Sequence, residues 1–476
     1  LTNPDGGAVR TKGMRSRLLL AVALSISVFF TLAAPTRHRA INPPKEEQPP
    51  VPASIDARRS MVITDVALLQ NFTFQRFLDA LIARSGVQGL TATELYRQML
   101  DTQNPKPGLA DPLGPHCNDF LDGAQPTFNG FPRRCPTPEG PLAQSGFSAD
   151  EYIPIALTNR FDQAPADGSN CGQYRIVFAR RMAQPRTRLH IILEPVLRNP
   201  NPSAGIAGCR PVALFWANLT TIDDLSVRRA KLEQFYFDGI AGFPPVIDPD
   251  NFSAASGGGI RTTQVAVAGA APRNYQFRVT KDCSSGACTL RMTPDVLNDM
   301  PYGELFDAGN NSDQAKAFRD VFVAQVPNLA VKNANEYFMD IPRQFLMAES
   351  NPADDANEFD YATPFNRSKV GASDFKSRIQ QKLTSIGSTL TPEQIVFRAQ
   401  TQSCLGCHAL FGNVGEGVVF PRPIDDVQHI TEDTPEPGDG GQRYRISSAL
   451  QDTFVPHRIQ ILLDFLNSGK APVRSQ

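Results

Sequence analysis

The stretch TPEQIVFRAQTQSCLGCH, residues 391–408, decides how the C-terminal part of this chain is read. Thr391 as N-cap, Pro392 in the first turn and Gln394 three residues past the cap predict a helix running toward Cys404. That helix delivers Cys404, Leu405, Gly406, Cys407 and His408, a C-x-x-C-H run. Two thiols three positions apart can add across the two vinyl groups of one haem, and the adjacent imidazole then lies under the iron. With 8 Cys and 6 His in 476 residues, chance yields the run in only about 0.002 of shuffled chains, so the match is specific. One covalent haem c is therefore the expected cofactor. A thioredoxin-type C-x-x-C lacks its βαβ surroundings here, and a zinc knuckle lacks its second Cys pair. An ordinary vicinal disulfide loop is the plain alternative.

Downstream, Pro456 opens a final helix with Ile459, Leu462, Phe465 and Leu466 on one face, and Gly- and Pro-rich loops lie before it. A helix running into C-x-x-C-H, a looped middle, and a last helix reading Leu462, Leu463, Asp464, Phe465, Leu466 together resemble the class I cytochrome c domain. The resemblance covers roughly a sixth of the chain, residues 391–470. It implies a small all-α haem domain whose two helices cross beside the haem, with Cys404 and Cys407 as thioether residues and His408 as proximal iron ligand. Family members usually carry an aromatic residue about four positions before the first Cys, where this chain has Gln400, and a distal Met before the last helix. Here the last Met is Met347. Two histidines follow His408. His429, in a loop between Pro423 and Pro435, matches the distal position better than His457, which sits beside Pro456 in the first turn of the last helix. A solvated loop histidine and an ordinary helix-start residue are the plainer readings of these two. An open sixth site and a Met folded in from upstream complete the alternatives.

Upstream, residues 171–295 change to period two. Tyr174, Ile176 and Phe178 alternate with polar neighbours, as do Leu189, Ile191 and Leu193, so an antiparallel sheet is expected. His190 falls on the opposite face and reads as a solvated or sheet-surface histidine. Tyr275, Phe277 and Val279, then Leu290 and Met292 beyond a Ser-Ser-Gly turn, predict a hairpin. An amphipathic helix from Thr221, with Asp224 as capping partner, to Gly239 interrupts the strands. Phe74, Phe77, Leu78, Leu81 and Ile82 share a helical face, and Thr91 with Glu94 forms a capping box before Leu95 and Met99. Residues 105–167 read as loop, and the acidic Asp354, Asp355, Glu358 and Asp360 as solvated surface rather than a calcium loop.

Six cysteines remain beyond the C-x-x-C pair, an even number that suits an oxidising compartment. Six allow fifteen pairings. Neighbours in sequence are expected to pair: Cys117 with Cys135, Cys171 with Cys209, and Cys283 with Cys288. Met14, Arg15, Arg17 and the apolar run 18–34 read as an export leader, with residues 1–13 preceding the natural start. A cleaved signal peptide and an uncleaved anchor both fit, and an uncleaved anchor is the one membrane contact expected. The Pro-rich run 41–54 is a spacer. Balanced charge, 47 basic against 48 acidic residues, without a basic cluster interleaved with aromatics, argues against a nucleic-acid partner.

The expected architecture is α+β: a helical and antiparallel β-rich disulfide-bonded body with a C-terminal all-α cytochrome c-like domain. Its segments are 1–54 leader and spacer, 55–165 helical and loop-rich, 166–300 β-rich, 301–390 helical connection and 391–476 haem domain. The expected role is one-electron transfer in the periplasm or at the cell surface, with a protein redox partner whose identity the residues do not specify. A haem enzyme or sensor with an open sixth site is the alternative from another class. A third reading is a binding or surface module with an accessory haem segment, since the body shows no nucleophile, base and orienting acid.

Overall fold

The period-two segments become strands of one antiparallel sheet. The computed structural model describes residues 50–110, 114–148, 150–181, 188–265, 273–284, 286–298, 300–350, 360–367, 374–403, 406, 412–421 and 430–472. All belong to one compact unit, Pro49–Gln476. The leader, most of the spacer, and Asp354, Asp355 and Glu358 lie outside the described residues.

Helices in chain order are α1 (Ala57–Ser60), α2 (Val66–Leu69), α3 (Phe74–Ser85), α4 (Ala92–Asp101), α5 (Leu142–Ser145), α6 (Arg210–Asn218), α7 (Leu225–Glu233), α8 (Asp313–Leu329), α9 (Ala362–Asn366), α10 (Phe375–Ser385), α11 (Pro392–Gln400) and α12 (Val455–Ser468). Strands are β1 (Val62–Ile63), β2 (Leu121–Asp122), β3 (Gln125–Phe128), β4 (Phe131–Pro132), β5 (Tyr152–Arg160), β6 (Asn170–Arg180), β7 (Arg188–Glu194), β8 (Val196–Arg198), β9 (Gly259–Val265), β10 (Arg273–Asp282), β11 (Thr289–Asp295), β12 (Glu349–Ser350), β13 (Gly412–Asn413), β14 (Val419–Phe420), β15 (Ile430–Gly438) and β16 (Gly441–Ile446).

The main sheet runs β1-β5-β6-β7-β9-β10-β11, with β8 added to β6 and β12 to β10. Its register places Ile176 opposite Leu193, Phe178 opposite Ile191, Phe277 opposite Ile260 and Val279 opposite Met292, so the apolar sets share a face. Helices and turns cover that face. Phe74 of α3 meets Phe178 at 5.3 Å between ring centroids, and Trp216 of α6 stacks on Tyr174 at 5.6 Å. One apolar cluster extends from Met61 to Leu466.

Three readings need correction. Residues 105–167 hold strands β2 to β5 rather than loop alone; Pro154 obscured β5, yet it sits at a register shift before Ala156, where the ladder is already interrupted. His190 is 8% exposed, not solvated, because β7 is an interior strand and His190 lies between Ala179 and Thr263. Asp224, not Thr221, caps α7, its carboxylate accepting from the Ser226 and Val227 amides at 2.8 and 3.3 Å. Thr221 instead closes the preceding turn by donating to the Asn218 carbonyl. The helix still ends at Gly239 as expected, after one π-turn, Gln234–Asp238.

All three expected disulfides are present: Cys117 with Cys135, Cys171 with Cys209, and Cys283 with Cys288 clipping the β10–β11 hairpin. They are consistent with an extracytoplasmic location. Among the described residues no helix is long and apolar enough to cross a membrane.

The C-terminal stretch departs from an all-α layout. Between α11 and α12 stand two hairpins, β13–β14 and β15–β16. Asp439 and Gly440 form the tip of the second, Gly440 at φ 73°, an Asp-Gly turn signal that Pro435 and Pro437 masked on one strand. Tertiary charges hold this hairpin against the N-terminal helices. The Asp439 carboxylate accepts from fully buried Arg228 at 2.7 Å and from Arg59 at 2.8 Å, while the Tyr444 carbonyl accepts from Arg58 and Thr64 at 2.7 Å. Although burial raises the Asp439 pKa, the Arg59 and Arg228 bonds outweigh it and hold the group below 3.8. Asp439→Asn should therefore cost about 1 kcal/mol at neutral pH, since Asp439 is 38% exposed and Asp65 still faces Arg228 when the ion pair is lost. A depressed carboxyl contributes stability that is lost as pH falls through its folded pKa. Urea unfolding should show the gap between wild type and variant closing below the ordinary carboxylate range; a gap independent of pH would contradict this assignment.

Candidate functional site

The helix that enters the C-x-x-C-H run forms as its sequence prescribes. Thr391 Oγ1 accepts from the Gln394 amide at 3.3 Å and the Gln394 side chain accepts from the Thr391 amide at 2.9 Å, a complete capping box with Pro392 in the first turn. Ile395, Val396 and Ala399 are buried, and α11 packs on α8, α9 and α10.

Beyond Gln400 the chain winds tightly against the helix end. Thr401 and Ser403 hydroxyls donate back to the Arg398 and Gln400 carbonyls at 2.7 and 2.9 Å, and the Gly406 amide donates to Ser403 Oγ at 2.8 Å. A Cβ at Gly406 would stand 1.7 Å from the Gln400 carbonyl oxygen, so only glycine fits at this position. Cys404, Cys407 and His408 themselves lie outside the described residues, as does His429.

The chain returns at β13, and two side chains hold its return. Fully buried Arg398 donates Nε to the Val414 carbonyl and Nη2 to that of Gly415, both at 2.8 Å, and Nη1 to the Leu329 and Val331 carbonyls at 2.8 and 3.0 Å. Its guanidinium also lies 5.0 Å from the Tyr337 ring centroid. Glu416 accepts from the Thr389 amide at 2.7 Å and from the hydroxyls of Ser388 and Thr389, tying the returning turn to the segment before α11. Arg398 and Glu416 thus tie the Val414–Glu416 turn to α11 and to the residues before it. Neither side chain stood out in the sequence, because a lone Arg on a helix face carries no local signal.

The other expected residues divide. Gln400, at the position where an aromatic is usual, is buried and accepts from the Tyr361 and Ala362 amides at 3.3 and 3.1 Å. His457 stands in the first turn of α12. Its Nε2 is buried with no hydrogen-bond partner among the described residues, and burial lowers its pKa against the opposing charges of Glu336 and Asp162. Met347 is packed against Leu297 and Met300 in a small separate cluster. The main partners of α12 are α6 and the turn Phe161–Gln163, so α11 and α12 pack principally on the body rather than on each other.

In the body, the structure brings together acid and base groups that are far apart in sequence. Buried His116 Nε2 lies 3.9 Å from Asp101 Oδ2, yet the neighbouring Cys117 is disulfide-bonded and supplies no nucleophile. A cleft of about 400 Å³ is lined by Gln88, Glu94, Arg97 and Arg291 among others, but Glu94 serves the Thr91 capping box and Arg97 donates to the Ala143 carbonyl. Among the described residues no group of three or more His, Cys, Asp or Glu could hold a metal. No family model, curated protein or solved structure matches this chain.

Gly406→Ala should displace the turn after α11 and cost about 1–3 kcal/mol by overpacking, measured by denaturant unfolding; a neutral result would show that the turn opens freely. Burial pushes the Glu139 carboxyl up to about 7, against the pull of the Thr137 hydroxyl and Arg273. A raised carboxyl stabilises the fold fully below its unfolded value near 4.5 and loses that contribution as pH rises through about 7. Glu139→Gln should therefore gain on wild type across this window, by about 3 kcal/mol at its upper end. Parallel stability curves for the two proteins would contradict the burial argument.

Proposed function

We propose that this chain is an exported monohaem c-type cytochrome-like protein whose role is one-electron transfer. The observation that carries the reading is the C-x-x-C-H run at the end of a capped helix, with Gly406 seated where no other residue fits. The donor set suits the group: two thiols for the vinyl carbons and one imidazole for the iron. Cys404 and Cys407 would hold haem c covalently and His408 would be its proximal ligand. Bound haem supplies the one-electron redox change, and the protein tunes it by ligation, burial and hydrogen bonding. The ties of Arg398 and Glu416 between α11 and the Val414–Glu416 turn support this reading, because they hold the segments on either side of the run to each other.

For the distal ligand, His429 lies between Pro423 and Pro435 in sequence, and His457 has a buried Nε2 with no hydrogen-bond partner among the described residues. Both are proposed, His429 first. Two imidazoles would lower the potential relative to His/Met ligation. The sealed packing of Met347 favours a second reading, a haem enzyme or sensor with an open sixth site, over a distal Met.

Expression in cells that mature c-type cytochromes should give a denatured band that stains for haem, and Cys404→Ala with Cys407→Ala should abolish it. A colourless wild-type protein would overturn the proposal. Cyanide and carbon monoxide separate the two readings, since an open site binds them at once and a six-coordinate haem resists them. Absorption and electron paramagnetic resonance spectra of His429→Ala and His457→Ala identify the distal ligand as the variant that loses the low-spin signal.

A further inference from the structure

The cleft of about 400 Å³ in the body is assembled from stretches that only the fold brings together. They are the turn 88–90 before α4, the face of α4 that carries Glu94, Arg97 and Gln98, the residue Ala110, and Arg291 of β11. Positions 94, 97 and 98 are three and four apart, so helical spacing alone puts them side by side. The volume is that of a small-molecule site. Leu90 and Ala110 contribute the apolar side chains of the wall, and the other side chains that line it end in amides, guanidiniums or a carboxylate. Such a wall suits a hydroxylated ligand better than an aromatic or aliphatic one, because an apolar ligand would strip water from polar groups without replacing its hydrogen bonds.

Three of these groups have hydrogen-bonding capacity that the fold does not use. Arg97 donates Nε to the Ala143 carbonyl at 2.8 Å, which pins the guanidinium, and neither Nη group bonds to a described residue. Its charge faces Glu94 one turn back on the same helix. Glu94 serves the capping box through Oε2 alone, which accepts from the Thr91 amide and hydroxyl at 2.8 and 2.7 Å, and Oε1 accepts from no described residue. The Gln98 carboxamide makes no hydrogen bond to the described residues, although its Oε1 is buried. A pinned guanidinium fork matches a carboxylate, while a carboxamide and a carboxylate oxygen match hydroxyls. Glu94 is exposed, where pairing with a ligand ammonium is screened by water, so the cleft favours an anion over a zwitterion.

We propose that this cleft binds a small hydroxylated monocarboxylate of the uronic-acid class, with the carboxylate on the Arg97 fork and hydroxyls on Gln98 and Glu94 Oε1. This binding function goes beyond the haem reading and does not depend on it, since none of its residues belongs to the C-x-x-C-H run. No covalent bond is made or broken. Selectivity follows from the same pairing, because a ligand that lacks the charge or the hydroxyls leaves polar groups of the site unmet.

The test is isothermal titration of the full-length protein with galacturonate, glucuronate, galactose, acetate and serine. Galactose carries the hydroxyls without the charge, acetate the charge without the hydroxyls, and serine an ammonium beside its carboxylate. At least one uronate should bind saturably with Kd below about 10 mM, and galactose, acetate and serine at least about ten-fold more weakly. Arg97→Lys keeps the charge without the fork and should weaken the uronate by about ten-fold. Gln98→Leu touches neither the Ala143 tie nor the capping box, so it should unfold at the wild-type temperature even if the Arg97 variant is unstable, and it should also bind the uronate about ten-fold more weakly. Neither uronate binding saturably, another probe binding as tightly as the uronates, or an unchanged affinity in folded Gln98→Leu would each overturn the proposal. Covalent haem is scored separately on the same preparation, so its absence would overturn the haem reading and leave this site standing.

Discussion

Burying a guanidinium is costly unless acceptors meet its donors, and this constraint organises parts of the chain outside the sheet through Arg319 and Arg398, whereas Arg228 meets an acceptor through Nη2 alone among the described residues. Arg228, Arg319 and Arg398 are among the largest fully buried side chains. Arg319 donates to the Asp307 and Asn310 carbonyls at 2.7 and 2.9 Å, tying α8 to the turn before it. Arg398 ties α8 and α11 to the turn after the C-x-x-C-H run, and Arg228 reaches the tip of the β15–β16 hairpin. In each case a long side chain supplies hydrogen bonds to loop backbone or a loop carboxylate, which has no strand ladder of its own to satisfy it. Removing any one of them would leave carbonyls or a charge unmatched in a dry interior.

The sheet follows a different logic. Its strands are specified by alternation, and a slip of one residue would turn Tyr174, Ile176 and Phe178 to the other face. Polar groups on its strands are tolerated because they pair across strands. Glu194 is an example: burial alone would raise its pKa, but the guanidiniums of Arg261 and Arg175 bring it down to about 2, so the carboxylate stays charged inside the sheet. The disulfides act where regular structure is thinnest, across the loops that close the β2–β4 segment, the β6 start and the β10–β11 hairpin.

These two systems meet on either side of the C-x-x-C-H run. The capped helix α11 leads into it, Gly406 lies close against the Gln400 carbonyl, and the β13–β14 turn beyond it is held by Arg398 and Glu416. The hairpins between α11 and α12, and the packing of both helices on the body, make this segment an integral part of the larger fold.

What the sequence determined by itself was local. The capping boxes at Thr91 and Thr391, the hairpin clipped by Cys283 and Cys288, the alternating strands and the C-x-x-C-H run each need only residues a few positions apart, so their chemistry is written where they fold. The other two disulfides, with sequence separations of 18 and 38, were legible as pairs of neighbours because short loops cost least to close. Tertiary structure decided the rest. Pro154 is tolerated in β5 because the ladder shifts there, and His190 is buried because both neighbours of its strand are present. Arg398 finds acceptors 69 residues upstream and 16 residues downstream. No periodicity encodes such contacts, since they exist only once separate segments have been brought together around a shared core.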